Sequence, residues 1–423
     1  MKALPKGETI NVTENLNFYA GHEPKNLIEK YESPLYVYNE NIFRQKCKDM
    51  KNIVSYENFQ VNYAIKANTN LTLLSIAREE GLCADVSSSG EIVAAMAAGF
   101  LPNEIIFIAN NISAKEMLFA IEKGILISVD SISQLETYGK IAKGSNVAIR
   151  FNSGIGGGHH EKVITGGDGT KFGIMPEYIP QIKEILKKYN LKLVGINHHI
   201  GSQNWGDLYI DGVKELLNIA YQFKDLEFID LGGGFAIPYN KQNGEKPLNL
   251  EVLKQLLESY MNEFKESYGK NIKFMIEPGR YIAAECGIVL GTVNSIKTNG
   301  EIKYAGTDVG FSVFARPTLY DAHHDIEIYR QSNNSEAENI KEEINIVGNQ
   351  CESGDYIAKE RYLNLKEEDI IAILDAGAYG YSMSSNYNHR PRPAEVLIRE
   401  DGSLELIRKR ESLEDIIKNM IDL

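Results

Sequence analysis

The stretch Val61-Asn62-Tyr63-Ala64-Ile65-Lys66-Ala67-Asn68 puts a lysine at the end of an apolar run with small neighbours. Period-two alternation sets Val61, Tyr63 and Ile65 on one face and Asn62, Ala64 and Lys66 on the other. The bulky face asks for a core, while the small face leaves room around an amine. An ammonium in such a place must be paired, deprotonated or covalently attached to something. The last option, a Schiff base, would make it the centre of an enzyme.

Working outward from that run, short β-branched segments begin at Phe59, Leu82, Ile105, Ile125, Asn146, Leu193, Phe228 and Ile272. Amphipathic helical stretches lie between them, among them 71–80, 91–98, 114–123 and 250–264. About eight such units in roughly 230 residues match the size of a (β/α)8 barrel. A doubly wound sheet is the alternative, but the regular repetition favours closure. The fifth unit is lengthened by a glycine-rich insert at 154–173, and inserts of that length are usually lids or binding loops. Its pair His159-His160 has no carboxylate spacing to complete a metal ligand set, so no metal is expected.

At 423 residues the chain exceeds one ordinary core, which argues for two domains. After residue 290 the runs 302–308 and 370–374 are strand-like without long helices between them, as is 287–296 just before. Segments 394–399 and 403–408 flank Asp401-Gly402, a hairpin signal, and a short helix is expected at 413–420. The expected organisation is therefore a barrel over 40–290 and a β-sandwich or β-barrel domain over 291–423. Residues 1–39 complete the second domain through the segment around 34–38. The stretch 331–343 is hydrophilic and is the one low-order candidate.

The net charge of −13 argues against nucleic acid or an anionic membrane as partner. Cys47, Cys83, Cys286 and Cys351 are far apart, which reads as a reducing compartment without disulfides or zinc. Met1-Lys2-Ala3-Leu4-Pro5 lacks the apolar stretch of a leader, and no apolar run is long enough to span a bilayer. A cytoplasmic protein is expected.

In such a barrel, chemistry gathers at the C-terminal ends of the strands. Those ends carry Lys66, Asp85, Arg150, His199, Gly232-Gly233-Gly234 and Glu277-Pro278-Gly279-Arg280. Alternation places Val194 and Ile196 toward the helices, hence Gly195, Asn197 and His199 toward the axis, with His198 on the wrong side. It likewise turns Met275, Glu277 and Arg150 inward. Each residue has an ordinary reading when taken singly: Lys66 as a structural partner of Asp85, His199 as a core histidine, the glycines as a turn, Glu277 and Arg280 as an ion pair. Their convergence on one barrel mouth favours the functional reading. The chemistry they fit is that of pyridoxal phosphate. Its aldehyde needs a lysine amine, and its phosphate needs backbone N–H donors. Its pyridine nitrogen needs an acid such as Glu277, and its ring needs a flat partner such as His199.

Tyr63–Asn68, His199-Ile200-Gly201-Ser202, Gly232–Gly234 and Glu277-Pro278-Gly279-Arg280 together resemble the alanine-racemase-fold pyridoxal phosphate decarboxylases. Four later segments resemble the meso-diaminopimelate branch of that family: Arg316-Pro317-Thr318-Leu319-Tyr320, Cys351-Glu352-Ser353-Gly354-Asp355, Asp375-Ala376-Gly377-Ala378-Tyr379-Gly380 and Met383-Ser384-Ser385-Asn386-Tyr387-Asn388. The resemblance covers the chain from about Pro34 to the C-terminus.

The resemblance implies that Lys66 carries the cofactor, His199 stacks on its ring and Glu277 meets its nitrogen. Asp85, Arg150, Ser202, Gly232, Gly233, Gly234, Pro278, Gly279, Arg280 and Tyr379 would complete the cofactor site. Arg280, Arg316, Tyr320, Glu352 and Tyr379 would hold the substrate, whose distal carboxylate suits an arginine fork and whose distal ammonium suits Glu352. Cys351 would protonate the product carbon, reaching the site from the second subunit of a head-to-tail homodimer, with Glu352 beside it. Decarboxylases of ornithine, arginine, carboxynorspermidine or carrier-linked glutamate remain alternatives. So do an isomerase of the alanine-racemase type and a non-catalytic binding homologue.

Overall fold

The computed structural model describes residues 11–158, 160–202, 206–330 and 340–421. The N-terminal residues 1–5, His159 and residues 331–339 of the hydrophilic stretch lie outside these. The described chain forms two compact units. One comprises Arg44–Ile237 and Leu248–Ile282; the other comprises the residues up to Phe43, Pro238–Pro247, and those from Ala283 onward.

Strand β1 (Leu35–Asn39) belongs to the second unit. The next eight build the first: β2 (Phe59–Ala64), β3 (Cys83–Val86), β4 (Ile105–Ile108), β5 (Leu126–Val129), β6 (Asn146–Arg150), β7 (Lys192–Asn197), β8 (Phe228–Asp230) and β9 (Lys273–Ile276). Each pairs in parallel with the next, and β9 pairs with β2 to close a barrel. Their starts fall at or beside the residues expected from the β-branched runs, and closure removes the doubly wound alternative. Helices start cleanly because the preceding loops end in capping residues. The side chains of Asn70, Ser88, Ser113, Ser131 and Asn249 accept an N–H from the first turn of the helix that follows each. No described helix is long and apolar enough to cross a membrane.

Ile106, Ile108, Ala148, Val194, Phe228 and Met275 form a buried cluster with Leu126 packed against it. Val194 corrects the alternation argument, which turned it toward the helices. The β6–β7 register shifts between Val147 and Ala148, so Val194 is an extra residue in the ladder and joins this cluster. Gly195 is held open for a neighbour: a Cβ there would lie 2.0 Å from the Phe228 ring.

The second unit is a nine-stranded mixed sheet. It adds to β1 the strands β10 (Gly287–Asn299), β11 (Ile302–Thr307), β12 (Ile326–Tyr329), β13 (Glu342–Val347), β14 (Tyr356–Leu363), β15 (Ile370–Ile373), β16 (Ala394–Ile398) and β17 (Leu404–Arg408). The main path runs β14-β13-β11-β10-β1-β16-β17, with β15 and β12 branching from β10. The N-terminal strand is thus central, antiparallel to β10 and parallel to β16. β16 and β17 form the expected hairpin around Asp401-Gly402. The core is built from Leu35, Val37, Ile288, Leu290, Ile370, Ala372, Val396 and Ile398, with Phe18 and Leu27 from the N-terminal segment. The strap Pro238–Pro247 belongs to this unit although it lies between β8 and the helix Leu250–Tyr268. Lys241 ties it down, with Nζ 2.6 Å from both Asp375 carboxylate oxygens and 3.2 Å from Glu285.

Candidate active site

Lys66 does not sit on a strand. β2 ends at Ala64, and Lys66 is the middle residue of a 3-10 turn, Ile65–Ala67. The same holds for its neighbours: His199 lies two residues beyond β7, and Glu277 is the first residue after β9. The ladders stop just short of the site, so these side chains converge where the strands end. Lys66 Nζ donates to Asp85 Oδ2 over 2.9 Å; the Asp85 side chain is fully buried, whereas that of Lys66 is 40% exposed. A buried carboxylate thus anchors an amine that solvent and ligand can reach.

Three acids, Asp85, Asp230 and Glu277, share the buried interior with the Arg150 guanidinium. Burial pushes the Glu277 carboxyl well above its ordinary range, and the Asp230 and Asp85 charges push it the same way, against Lys66 and Arg150. Asp230 is raised by burial too, and its carboxyl is hydrogen-bonded to that of Glu277. Arg150 is lowered by burial, with its plane 4.6 Å over the Phe172 ring. Asp130, just after β5, is pushed up to about 6 by burial, against the Arg150 charge.

His199 is held in one orientation. Gly233 N–H donates to its Nδ1 over 3.2 Å, so that nitrogen is an acceptor. Enclosure, then the Arg150 and Lys66 charges, push its pKa well down, which keeps the ring neutral. His198 is a buried structural histidine with its ring against the Leu231 carbonyl, and burial lowers it to about 4. The glycine run is compressed against backbone: a Cβ at 232, 233 or 234 would meet the His198, Glu277 or Gly201 carbonyl oxygen at 2.3, 2.1 and 2.4 Å. Gly232 and Gly234 also have φ of +72° and +105°, which L side chains rarely adopt. Gly279 lies close to Ala64 and Ala67, and the Pro278 carbonyl accepts the Ala64 N–H at 3.1 Å. Arg280 is buried at the start of a short helix, Arg280–Ala283, and Ser202 is half-buried beyond Gly201.

The glycine-rich insert is organised by Asn152. Its Oδ1 accepts the Gly154 and Gly167 N–H groups, and its Nδ2 donates to the Gly167 and Phe172 carbonyls. Gly157 N–H donates to the Ile200 carbonyl, and Thr165 Oγ1 donates to that of His199. The insert therefore lies along the segment that carries the site histidine.

The remaining expected residues belong to the sheet unit. Arg316 is buried on a short helix, Arg316–Tyr320; it donates to Tyr239 Oη over 2.9 Å and lies 4.7 Å over that ring. Tyr320, at the end of the helix, is half-buried, as is Tyr379, which has φ +57°. Cys351, Glu352, Ser353 and Gly354 are all exposed. Their turn is nevertheless well defined. Asp355 accepts the Gln350 and Phe311 N–H groups at 2.8 and 2.6 Å, and Asn388 accepts the Cys351 N–H at 2.7 Å. Sequence reasoning missed Asp230, Asn62, Asp130 and Tyr239. For Asn62 a signal existed, since alternation already sets it on the face that carries Lys66.

The barrel mouth fits pyridoxal phosphate on its own evidence. Asp85 Oδ1, Arg150 Nη2 and Glu277 Oε1 are buried without a hydrogen-bond partner, a costly state that a polar ligand would relieve. Beside them stand a reachable amine and a glycine cradle with no space for side chains. The family model for the pyridoxal-binding domain of pyridoxal-dependent decarboxylases matches residues 40–284. The chain is a pyridoxal-phosphate-dependent decarboxylase of the alanine-racemase fold.

The likeness extends well beyond that domain. The diaminopimelate decarboxylase of Methanothermobacter thermautotrophicus is 39% identical, over 94% of each chain. That of Archaeoglobus fulgidus is 35% identical, over 93% of this chain and 94% of its own. The crystal structure of diaminopimelate decarboxylase from Helicobacter pylori, complexed with L-lysine, superimposes with a TM-score of 0.85 at 31% identity, covering 94% of this chain and 98% of that one. The chain belongs to the diaminopimelate decarboxylase family.

Gly233→Ala tests the cradle. Its new Cβ meets the Glu277 backbone, which cannot swing away. Titration of the apo-protein should give at least about a tenfold rise in the Kd for pyridoxal phosphate, equivalent to ~1.4 kcal/mol. An unchanged Kd in a folded variant contradicts the cradle assignment.

Proposed function

We propose that the protein decarboxylates meso-2,6-diaminopimelate at its D-centre, giving L-lysine and carbon dioxide, the last step of lysine biosynthesis. The observation that carries the substrate is Arg316, a buried guanidinium braced by Tyr239 in a chain whose relatives are diaminopimelate decarboxylases over nearly their full length. A braced arginine suits a substrate with a second carboxylate, whereas a simple diamine-forming decarboxylase has no use for one.

Bound pyridoxal phosphate supplies the electron sink for the pair left behind when the carboxylate departs. The chain's own groups do the rest. Lys66 holds the cofactor through its amine, and Asp85 fixes where that amine points. Glu277 keeps a proton at the ring nitrogen, and Arg150 offsets the charge of the buried acids. His199, neutral and pinned by Gly233, offers its flat face to the ring. Ser202, Gly232–Gly234, Pro278, Gly279, Arg280 and Tyr379 hold the phosphate end. Arg280, Arg316, Tyr320, Glu352 and Tyr379 hold the substrate, with Glu352 facing its distal ammonium.

Cys351 gives its thiol proton to the carbon that has lost the carboxylate, and solvent restores it. It acts across a head-to-tail homodimer, and the exposure of the ordered turn Cys351–Gly354 supports delivery to a second copy. The wide separation of Cys47, Cys83, Cys286 and Cys351 along the sequence supports a reducing, cytoplasmic location.

Separate incubation with the meso, LL and DD isomers of diaminopimelate, lysine, ornithine and arginine tests the substrate. Lysine is expected from the meso isomer and no amine from lysine, ornithine or arginine. Absence of lysine from the meso isomer would overturn the reading.

A further inference from the structure

We propose that Asp230 is a positioning residue for the cofactor: its carboxyl group joins the glycine run that cradles the phosphate to the Glu277 carboxyl that meets the ring nitrogen. Asp230 ends β8 and is 0% exposed. One oxygen, Oδ1, accepts the Gly232 N–H at 2.9 Å; the other accepts Asn62 Nδ2 at 3.3 Å. The carboxyl also shares a hydrogen bond with Glu277.

Its support runs down one wall of the barrel. Gln60 Nε2 donates to Asn62 Oδ1 over 2.7 Å, and Lys273 Nζ donates to Gln60 Oε1 over 3.1 Å. An aspartate needed only to close the Gly232 turn would use one oxygen, and nothing would require it to face a second buried acid. Two carboxyls buried together are costly unless they share a proton. Burial raises both; the Asp230 charge raises Glu277 further, while the hydrogen bond with Glu277 lowers Asp230, so the proton stays on Glu277 and is shared toward Asp230. The other charged groups acting on Glu277 are Asp85 from β3, Lys66 from the turn after β2, and Arg150 from β6. Among these, only Asp230 also holds the first amide of the glycine run.

The inference rests on the cofactor reading and not on the substrate, so failure to turn over meso-diaminopimelate leaves it intact. Asp230→Ala removes both links, and the Kd for pyridoxal phosphate is expected to rise at least about tenfold. Asp230→Asn keeps an oxygen for the Gly232 N–H, so its Kd should stay within about threefold of wild type. Its neutral amide no longer opposes ionisation of Glu277. The pH midpoint of the bound cofactor's absorbance change should therefore move to lower pH by about one pH unit. Asn62→Ala, which removes one support and leaves the acid, should raise the Kd by less than Asp230→Ala does.

Circular dichroism and Tm establish that the variants are folded. Should Asp230→Ala not fold, the near-isosteric Asp230→Asn and Asn62→Ala decide. Wild-type Kd and midpoint in both overturn the proposal. So does an Asp230→Asn variant that loses cofactor with an unmoved midpoint, which would make Asp230 a purely structural acid.

Discussion

Lys66→Ala is expected to bind pyridoxal phosphate only reversibly and to lose at least about 10⁴-fold in turnover, the upper range for a single positioned acid–base group. A loss of that size corresponds to removing both the covalent handle and the proton-carrying amine that the proposed mechanism assigns to this residue. Borohydride should fix the cofactor to the Lys66 peptide in wild type and to no peptide in the variant. A small amine added to the solution should restore part of the activity, because the anchoring carboxylate of Asp85, 2.9 Å from the native amine, remains to orient it. The assignment fails if the variant retains cofactor that borohydride can trap.

Cys351→Ala is expected to lower turnover by about 10²–10⁴-fold, as loss of a positioned proton donor does, while the bound cofactor keeps its colour. Folding should be unaffected, because the side chain is exposed and the turn is held by Asp355 and Asn388 through the backbone. The shared-site reading adds a second measurement. Mixing equal amounts of the Lys66→Ala and Cys351→Ala proteins, each nearly inactive, should restore about a quarter of wild-type activity through mixed dimers that contain one intact pair. Wild-type turnover in Cys351→Ala removes the proton-donor role; a mixture no more active than its parts removes the exchange between subunits.

What could be read from the chain and what could not divide along physical lines. Parallel strands buried on both faces are short β-branched runs, and each unit repeats strand, capping residue and helix, so the eight starts stood out. The residues at strand ends were legible because period two aims them before any contact is known. Val194 escaped because a one-residue bulge depends on the partner strand and has no local mark. Asp230 escaped because an aspartate before three glycines reads as a turn residue. Its weight comes from Asn62, 168 residues earlier. Arg316 was visible through its motif, but its brace was not: Tyr239 lies 77 residues away in a strap between β8 and a barrel helix. The pairing of Lys66 with Asp85, weighed in the sequence as the ordinary reading of that lysine, is present, although β2 ends before reaching it.

The place of β1 has a consequence for synthesis. Leu35 pairs with Leu290 on one side and Ala394 on the other, so the central strand of the sheet leaves the ribosome first and finds its last neighbour only when translation is nearly over. Every segment of the barrel unit emerges in the interval, and domains generally fold as units during synthesis. For most of that time an apolar β segment, with Tyr36 and Tyr38 among its residues, has no ladder to join. That is the kind of exposed edge that nascent-chain chaperones shield. A gene truncated before codon 287 would leave it with neither neighbour, so the barrel alone, expressed with its own leading segment, carries a built-in liability to aggregate.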